Sequence, residues 1–212
     1  KKILVWTEEA KKEFVKNFPK IKEKLEIVPF ALPLQKISRK KKDRINLLFI
    51  SRYFHEKGGL EALDVMDYLT KNHKEVFGTF ISDIPEEVLR KYSSNKKIDL
   101  RPLTPHEVIM KEIYPNADIL IYPGFSDSFG FAMPEAMSFG IPIITVDGFA
   151  RKEIVEQGKT GFVVDSPKKV EFSWDWAGGP IKITNRDALI KDLVKHAEEL
   201  INNKELLEKM SI

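Results

Sequence analysis

Two carboxylates and a glycine-containing loop lie close together in residues 122–140, which read YPGFSDSFGFAMPEAMSFG. The apolar run at residues 119–121 precedes this stretch and predicts a buried strand. Pro134 suits the first turn of a following helix, and Gly140 suits the position just after its end. Because the first N–H groups of a helix are free and its dipole is positive there, the loop predicts an anion-binding site.

Asp127 and Glu135 flank this predicted anion site, one in the loop and one in the first turn of the helix. A phosphate alone does not require two neighbouring acids, but a phosphate that carries a sugar on each side offers hydroxyl groups to both. One carboxylate then accepts hydrogen bonds from a ribose diol, and the other from a transferred sugar. The alternative is structural, with Glu135 as a favourable first-turn acid and Asp127 as a loop cap. The spacing alone favours this alternative.

A second candidate is the loop SRYFHEKGG, residues 51–59, which follows a predicted strand at residues 45–50. Arg52 and Lys57 are two cations in a loop that leads into a helix, and they suit the charge of a diphosphate. Charge-assisted hydrogen bonds of this kind contribute roughly 1.5–3 kcal/mol each. Taken alone, the pair is better interpreted as a surface arginine and a surface lysine, because the chain is rich in lysine.

The D-x7-E spacing of Asp127 and Glu135, followed by FGF, EAM and Gly-Pro through Pro142, resembles the E-x7-E signature of a known family. This family is the group 1 family of retaining glycosyltransferases with two Rossmann-like domains, the GT-B architecture. Asp127 stands where the family usually has Glu, and its side chain is one methylene shorter. RYFHEKGG resembles the family's Arg and Lys pattern after the first strand of the second domain. The resemblance covers residues 25–165 and favours the functional interpretation of both loops.

The resemblance implies catalytic and binding roles for three side chains. Arg52 and Lys57 hold the donor pyrophosphate and stabilise charge on the leaving nucleoside diphosphate. Asp127 takes the position of the family's first Glu, near the donor sugar or phosphate.

Further donor contacts are implied by the same resemblance. The backbone N–H groups of Phe129, Gly130 and Phe131 hold the distal phosphate, and Glu135 accepts hydrogen bonds from the ribose hydroxyl groups. The loop at residues 101–104 resembles the family's base-contacting segment, where Leu103 lies against the nucleobase.

The implied reaction is retaining transfer of a hexose from a nucleoside diphosphate sugar to an acceptor hydroxyl group. Two alternatives stay open: a nucleotide-sugar epimerase or phosphorylase of the same architecture, and a non-catalytic nucleotide-binding subunit. The chain starts with Lys1 inside a strand-like segment, and we interpret it as part of a longer protein. We expect residues 1–24 to be the end of an absent N-terminal domain, 25–44 a linker, and 45–212 the nucleotide-sugar-binding domain. Without the N-terminal domain, we expect the chain to bind donor but to transfer no sugar.

Composition predicts a soluble globular protein: 42% of the 212 residues are hydrophobic and 32% are charged. The net charge of +3 is a small difference between 35 bases and 32 acids, so it does not predict nucleic-acid binding. There are no cysteines, which excludes disulfides and fits a cytoplasmic location. The basic run at residues 39–44 is best interpreted as a solvated connector. The alternative is attraction to a phosphorylated ligand or to anionic lipid at the inner membrane face, where many family members act on lipid-linked acceptors.

Strand and helix patterns alternate from residue 45 onward and predict a doubly wound parallel sheet of the Rossmann-like α/β class. The loops after residues 50, 100 and 122 then meet at one edge of the sheet. A capping box at residues 104–107 predicts a helix that continues to residue 114. A further short helix is predicted at residues 150–157, and an amphipathic helix at residues 187–202.

Neither a metal nor another cofactor is expected. The sequence contains no Asp-x-Asp, and its histidines have no His or Cys neighbour at ligand spacing. These histidines are His55, His73, His106 and His196.

Residues 166–185, which contain Trp174 and Trp176, depart from the alternation and predict a long loop or a small hairpin. Local packing is the favoured role of these tryptophans, and stacking against a sugar is the alternative.

Overall fold

Two parallel sheets organise the chain, for which a computed structural model describes residues 1–35, 43–127, 129–165 and 185–211. The smaller sheet pairs β1 (Ile3–Val5) with β2 (Leu25–Ile27), and α1 (Glu8–Asn17) and a 3-10 helix (Pro19–Lys24) connect them. Thr7 caps α1, because its hydroxyl oxygen accepts a hydrogen bond from the N–H of Ala10 at 3.1 Å.

The larger sheet has six parallel strands: β3 (Ile45–Ile50), β4 (Val76–Ile81), β5 (Ile98–Arg101), β6 (Ile119–Tyr122), β7 (Ile143–Val146) and β8 (Gly161–Val164). Their order is β5-β4-β3-β6-β7-β8, so the direction of winding reverses between β3 and β6. Ligands of such sheets bind at this switch point, outside the carboxyl ends of the strands. The predicted fold class and the single edge for the loops after β3, β5 and β6 are confirmed.

Helices cover both faces of the larger sheet: α2 (Gly59–Asn72), α3 (Glu86–Tyr92), α4 (His106–Val108), α5 (Ala132–Ser138), α6 (Arg151–Ile154), α7 (Arg186–Asn202) and α8 (Lys204–Met210). The core on one face includes Leu63, Met66 and Leu193. The core on the other face includes Tyr114 and Met133. Central strands buried on both faces are continuous apolar runs, which explains why the sequence pattern reveals them.

The capping box predicted at residues 104–107 is wrong. The Thr104 hydroxyl donates to the carbonyl oxygen of Pro102 at 3.0 Å, and Glu107 pairs with Lys111 at 2.6 Å. Neither side chain accepts a hydrogen bond from the first N–H groups of α4, so α4 has no side-chain cap. The helix continues as a π-helical turn at Ile109–Ile113 and a 3-10 turn at Tyr114–Asn116.

The helix predicted at residues 150–157 is also wrong in length, because only Arg151–Ile154 is helical. Val155 is extended, with φ −103° and ψ 115°, and Gln157 forms an isolated bridge to Gly161. The chain has therefore left the helix and begun to approach the sheet.

The small sheet docks onto the larger domain through a helix N-terminus and a group of aromatic rings. The Glu153 carboxylate accepts hydrogen bonds from the N–H groups of Glu8 and Glu9 at 2.7 and 2.9 Å. This contact satisfies free donors of α1 and places a negative charge at its positive dipole end.

The division of the chain at residues 24 and 44 stays a prediction. Most of the basic run and nearly all of the tryptophan-containing segment lie outside the described residues.

Gly161 at the start of β8 should tolerate no side chain. A Cβ atom there would lie 2.0 Å from the carbonyl oxygen of Ile143 on the neighbouring strand. We predict that Gly161→Ala lowers the free energy of unfolding by at least about 3 kcal/mol, measured by urea denaturation. Gly158 is the matched control: it has φ +73° and nothing within 4 Å of its Cβ position. Gly158→Ala should lower the free energy of unfolding by only about 1 kcal/mol. Equal decreases for the two variants would contradict the steric argument.

Candidate functional site

The loops after β3 and β6 are hydrogen-bonded to each other at the switch point of the sheet. The N–H groups of Phe125 and Ser126 both donate to the carbonyl oxygen of Glu56, at 2.7 and 3.1 Å. Gly58 allows this close approach, because a Cβ atom there would lie 2.8 Å from Cγ of Pro123. Gly58 also has φ +68°, a left-handed conformation that favours glycine. The structure thus brings the two sequence-predicted loops together.

Lys57 and Asp127 form an ion pair between these loops. Lys57 Nζ lies 3.0 Å from Asp127 Oδ1, and the two side chains are only 13% and 6% exposed. The ammonium group also donates to the carbonyl oxygen of Ser126. The other carboxylate oxygen, Asp127 Oδ2, accepts a hydrogen bond from the hydroxyl group of Tyr122 at 2.9 Å. Each partner of this buried pair therefore has a second polar contact, as buried charges require.

The burial of this cluster shifts two pKa values. Burial lowers the pKa of the Lys57 ammonium group, although the neighbouring Asp127 carboxylate acts in the opposite direction. Burial raises the pKa of the Tyr122 hydroxyl group well above its ordinary value, and the charge of Asp127 adds to this effect. Tyr122 therefore stays a neutral hydrogen-bond donor to the carboxylate.

Asp127 is more buried than a direct sugar ligand would need to be. Both of its oxygens contact protein groups, and Gly130 leaves room for the carboxylate. Gly130 has φ +82°, and a Cβ atom there would lie 2.6 Å from the Met133 methyl group and 3.0 Å from Asp127 Oδ2. The geometry favours Asp127 as the residue that orients Lys57, and its role beside the donor stays a prediction.

Arg52, Leu103 and Phe131 are exposed at the same edge of the sheet, with Leu103 in the loop after β5. Arg52 pairs with no carboxylate within the described part of the chain. The Phe129 and Phe131 rings pack against Trp6, with ring centroids 5.0 and 5.2 Å away. The backbone N–H groups of residues 129–131 donate to no acceptor among the residues that the structure describes.

Glu135 lies in the first turn of α5 and is held from two sides. Tyr114 donates its hydroxyl group to Glu135 Oε2 at 2.9 Å, and His106 Nε2 lies 3.0 Å from Oε1. Tyr114 is fully buried, and burial raises the pKa of its hydroxyl group well above the ordinary value. The sequence offered no signal for this contact, because Tyr114 precedes Glu135 by 21 residues and belongs to a different element.

Arg151 is a second residue that sequence reasoning missed. It is 1% exposed, and its Nη1 donates to the carbonyl oxygen of Val146 at 3.1 Å. Burial lowers the pKa of this guanidinium group, and the charge of Asp127 opposes that effect. An arginine in a highly charged chain is expected at the surface, so its type and position gave no sign of burial.

Neither a metal cluster nor a membrane span is found in the described ranges. They contain no group of three or more His, Asp or Glu side chains that could hold a metal ion. None of their helices is long and apolar enough to cross a bilayer.

The family model for glycosyl transferases group 1 matches residues 33–175. The chain belongs to this family. The match contains both loops of the site, from Arg52 to Glu135.

Curated relatives of this group 1 chain are longer than the chain itself. An uncharacterized 41.2 kDa protein in the cps region of Klebsiella pneumoniae is 26% identical over 174 residues, 71% of this chain and 45% of that protein. A D-inositol 3-phosphate glycosyltransferase of Rhodococcus erythropolis is 28% identical over 93 residues, 42% of this chain and 20% of that protein. The chain thus spans less than half the length of these curated relatives.

Solved glycosyltransferase structures share the fold of this group 1 chain. The pneumococcal O-GlcNAc transferase GtfA, in complex with UDP and GlcNAc, superposes with a TM-score of 0.76 at 18% identity, over 98% of this chain and 39% of that one. WaaG, a glycosyltransferase involved in lipopolysaccharide biosynthesis, superposes with a TM-score of 0.74 at 16% identity, over 99% of this chain and 56% of that one. The fold is that of one half of a GT-B glycosyltransferase.

Removing the Tyr122 hydroxyl group should destabilise this group 1 chain, because Asp127 Oδ2 would lose a buried donor. We predict that Tyr122→Phe lowers the free energy of unfolding by about 2 kcal/mol, the typical contribution of a hydrogen bond to a charged group. The control is Tyr68→Phe, since Tyr68 is 47% exposed and its hydroxyl group contacts no partner within the described residues. Urea denaturation of both variants measures the difference, and similar losses would contradict the role of the buried bond.

Proposed function

We propose that this chain is the donor-binding domain of an enzyme that transfers a hexose, with retention, from a nucleoside diphosphate sugar to an acceptor hydroxyl group. The observation that carries the proposal is the meeting of the Arg52–Lys57 loop with the Asp127–Glu135 loop at the switch point of the sheet. Membership of a glycosyl transferase family supports transfer, and it does not favour the epimerase, phosphorylase or non-catalytic alternatives.

Lys57 and Arg52 are assigned to the diphosphate of the donor. Lys57 is held by Asp127 and by Ser126 before any ligand arrives, so its charge is already in place. Charges in a mostly buried site interact more strongly than charges in water, because the effective dielectric constant is lower. Such a preorganised cation stabilises the negative charge that develops on the leaving nucleoside diphosphate.

Backbone donors and Glu135 are assigned to the remainder of the nucleotide. The N–H groups of residues 129–131 lie between Asp127 and α5 and suit the distal phosphate. The Glu135 carboxylate has about four acceptor positions, and its contacts with Tyr114 and His106 leave others for ribose hydroxyl groups. Leu103 is assigned to the nucleobase, since it is 44% exposed in the loop after β5.

Two structural neighbours that were crystallised with a nucleotide or a nucleotide sugar support a nucleotide sugar as the donor. GtfA was crystallised with UDP and GlcNAc, and the Anabaena protein HepE was crystallised with UDP-glucose. HepE superposes on this chain with a TM-score of 0.71 at 12% identity. The proposal further includes binding without a metal ion, a cytoplasmic location, and an N-terminal domain as partner. Lipid-linked acceptors at the membrane surface remain an alternative to soluble ones.

Calorimetric titration with UDP, GDP and ADP tests the donor site. We expect one of these diphosphates to bind in the presence of EDTA, and Glu135→Ala to weaken that binding by about 10- to 100-fold. The matched control is Glu107→Ala, because Glu107 is an exposed acid on α4 whose one ion pair among the described residues is with Lys111. Glu135→Ala should make no difference to a 2′,3′-dideoxy analogue of the same nucleotide. Absence of binding by all three diphosphates would contradict the proposed function.

The chain alone should hydrolyse or transfer no donor sugar at a catalytic rate, because the acceptor site is assigned to the N-terminal domain. A radiolabelled nucleotide sugar, offered with and without simple acceptors, measures this directly. Multiple turnovers by the 212-residue chain would contradict the assignment.

A further inference from the structure

The guanidinium group of Arg151 lies under the loop that carries Asp127. A Cβ atom at Gly124 would lie 3.1 Å from Arg151 Nη2 and 3.6 Å from the Cα atom of Lys57. A Cβ atom at Gly148 would lie 3.4 Å from Nη1 of the same arginine. The arginine is therefore enclosed between the loops after β6 and β7, next to the ion pair of the site.

Most of the hydrogen-bonding capacity of this arginine is unused. Nη1 donates to Val146, but the buried Nε and Nη2 atoms meet no acceptor within the described parts of the chain. Burial of a charged group with unsatisfied hydrogen-bond donors is unfavourable, and natural proteins rarely retain it without a reason. Packing alone does not supply that reason, since an apolar side chain of similar length would fill the space.

The charges around Arg151 do not balance. The carboxylate of Asp127 is already paired with Lys57, and the carboxylate of Asp147 is paired with the exposed Lys152 at 2.7 Å. Arg151 itself forms no ion pair with any carboxylate that the structure describes. Among the buried groups, Lys57 and Arg151 thus share one carboxylate, that of Asp127. The Glu56 and Asp147 carboxylates also act on these two cations, but both are partly exposed and therefore screened by water. The buried part of the site is left with one positive charge in excess.

We propose that Arg151 is a third cation of the donor site, whose uncompensated charge attracts the diphosphate that Lys57 and Arg52 contact. This inference rests on the proposed function and adds a residue to it. The excess charge lies behind Gly124, in a region of low effective dielectric constant, where a unit charge acts over several ångströms. The excess charge therefore increases the affinity most for a ligand with several negative charges, and it does not increase the affinity for a neutral nucleoside.

Arg151→Met is the central variant, because methionine is of similar length and removes the charge. Isothermal titration of the 212-residue chain with inorganic pyrophosphate should show that Arg151→Met weakens pyrophosphate binding by about tenfold or more. Arg151→Met should weaken the binding of orthophosphate less, because orthophosphate carries less charge. Arg151→Lys should stay within about threefold of the unaltered chain, since it retains the charge.

Two further variants separate charge from packing. Lys152→Met removes the same charge from an exposed side chain on the same helix and should change pyrophosphate binding by less than about twofold. Asp127→Asn should strengthen pyrophosphate binding, because it removes the only buried negative charge of the group. The double variant Arg151→Met with Asp127→Asn restores one excess positive charge and should return the affinity to that of the unaltered chain. A purely structural role for Arg151 predicts instead that the double variant is at least as impaired as Arg151→Met.

The outcomes distinguish this inference from the proposed function. If the unaltered chain binds pyrophosphate and Arg151→Met binds it equally well, the inference fails and the donor site stands. If neither pyrophosphate nor any of UDP, GDP and ADP binds the unaltered chain, both fail. Should Arg151→Met not fold, Arg151→Gln replaces it as the variant without the charge, and an affinity for pyrophosphate equal to that of the unaltered chain would overturn the inference.

Discussion

The ammonium group of Lys57 is held away from solvent, and the surrounding structure is arranged to make that possible. A mostly buried cation requires a counter-ion, and Asp127 supplies it from a loop that lies 70 positions further along the chain. The two loops must therefore meet closely, which the Glu56 carbonyl oxygen and the left-handed Gly58 allow. Their strands, β3 and β6, are neighbours only because the sheet reverses its winding there. The charge at the site thus depends directly on the strand order of the fold.

The groups around this ion pair serve either to hold it or to leave donors free beside it. Tyr122 ends β6 and directs its hydroxyl group to Asp127, while Gly130 admits the loop where any Cβ atom would collide. The rings of Phe129 and Phe131 pack against Trp6 of the small sheet. Their backbone N–H groups, which meet no acceptor within the described residues, are the donors that we assign to the ligand. The small sheet therefore does more than precede the larger domain, since it supports the very loop that is assigned to the phosphates.

Much of the fold was readable from the sequence, because strands buried on both faces are continuous apolar runs and helices show their own period. The two site loops were also found, since glycines, acids and bases cluster there. The ion pair between Lys57 and Asp127 was not predicted, because these two side chains meet only through tertiary structure. Tyr114 and Arg151 were missed for the same reason: nothing local reveals that a tyrosine will reach Glu135 or that an arginine will be buried. The capping box failed because the Thr104 hydroxyl group donates to the carbonyl oxygen of Pro102 and its oxygen accepts no hydrogen bond from the first N–H groups of α4. Such local hydrogen bonds to the backbone are common for serine and threonine.

The central claim is that a nucleoside diphosphate binds between the loops after β3 and β6. A titration of the isotopically labelled chain with UDP, GDP and ADP, followed through its backbone amide NMR signals, locates the binding site without relying on any substitution. We expect the largest chemical-shift changes at residues 52–58 and 129–135, and smaller chemical-shift changes near Arg151. Saturable binding would contradict this prediction if the amide signals that shift lay on another surface and those of residues 52–58 and 129–135 did not shift.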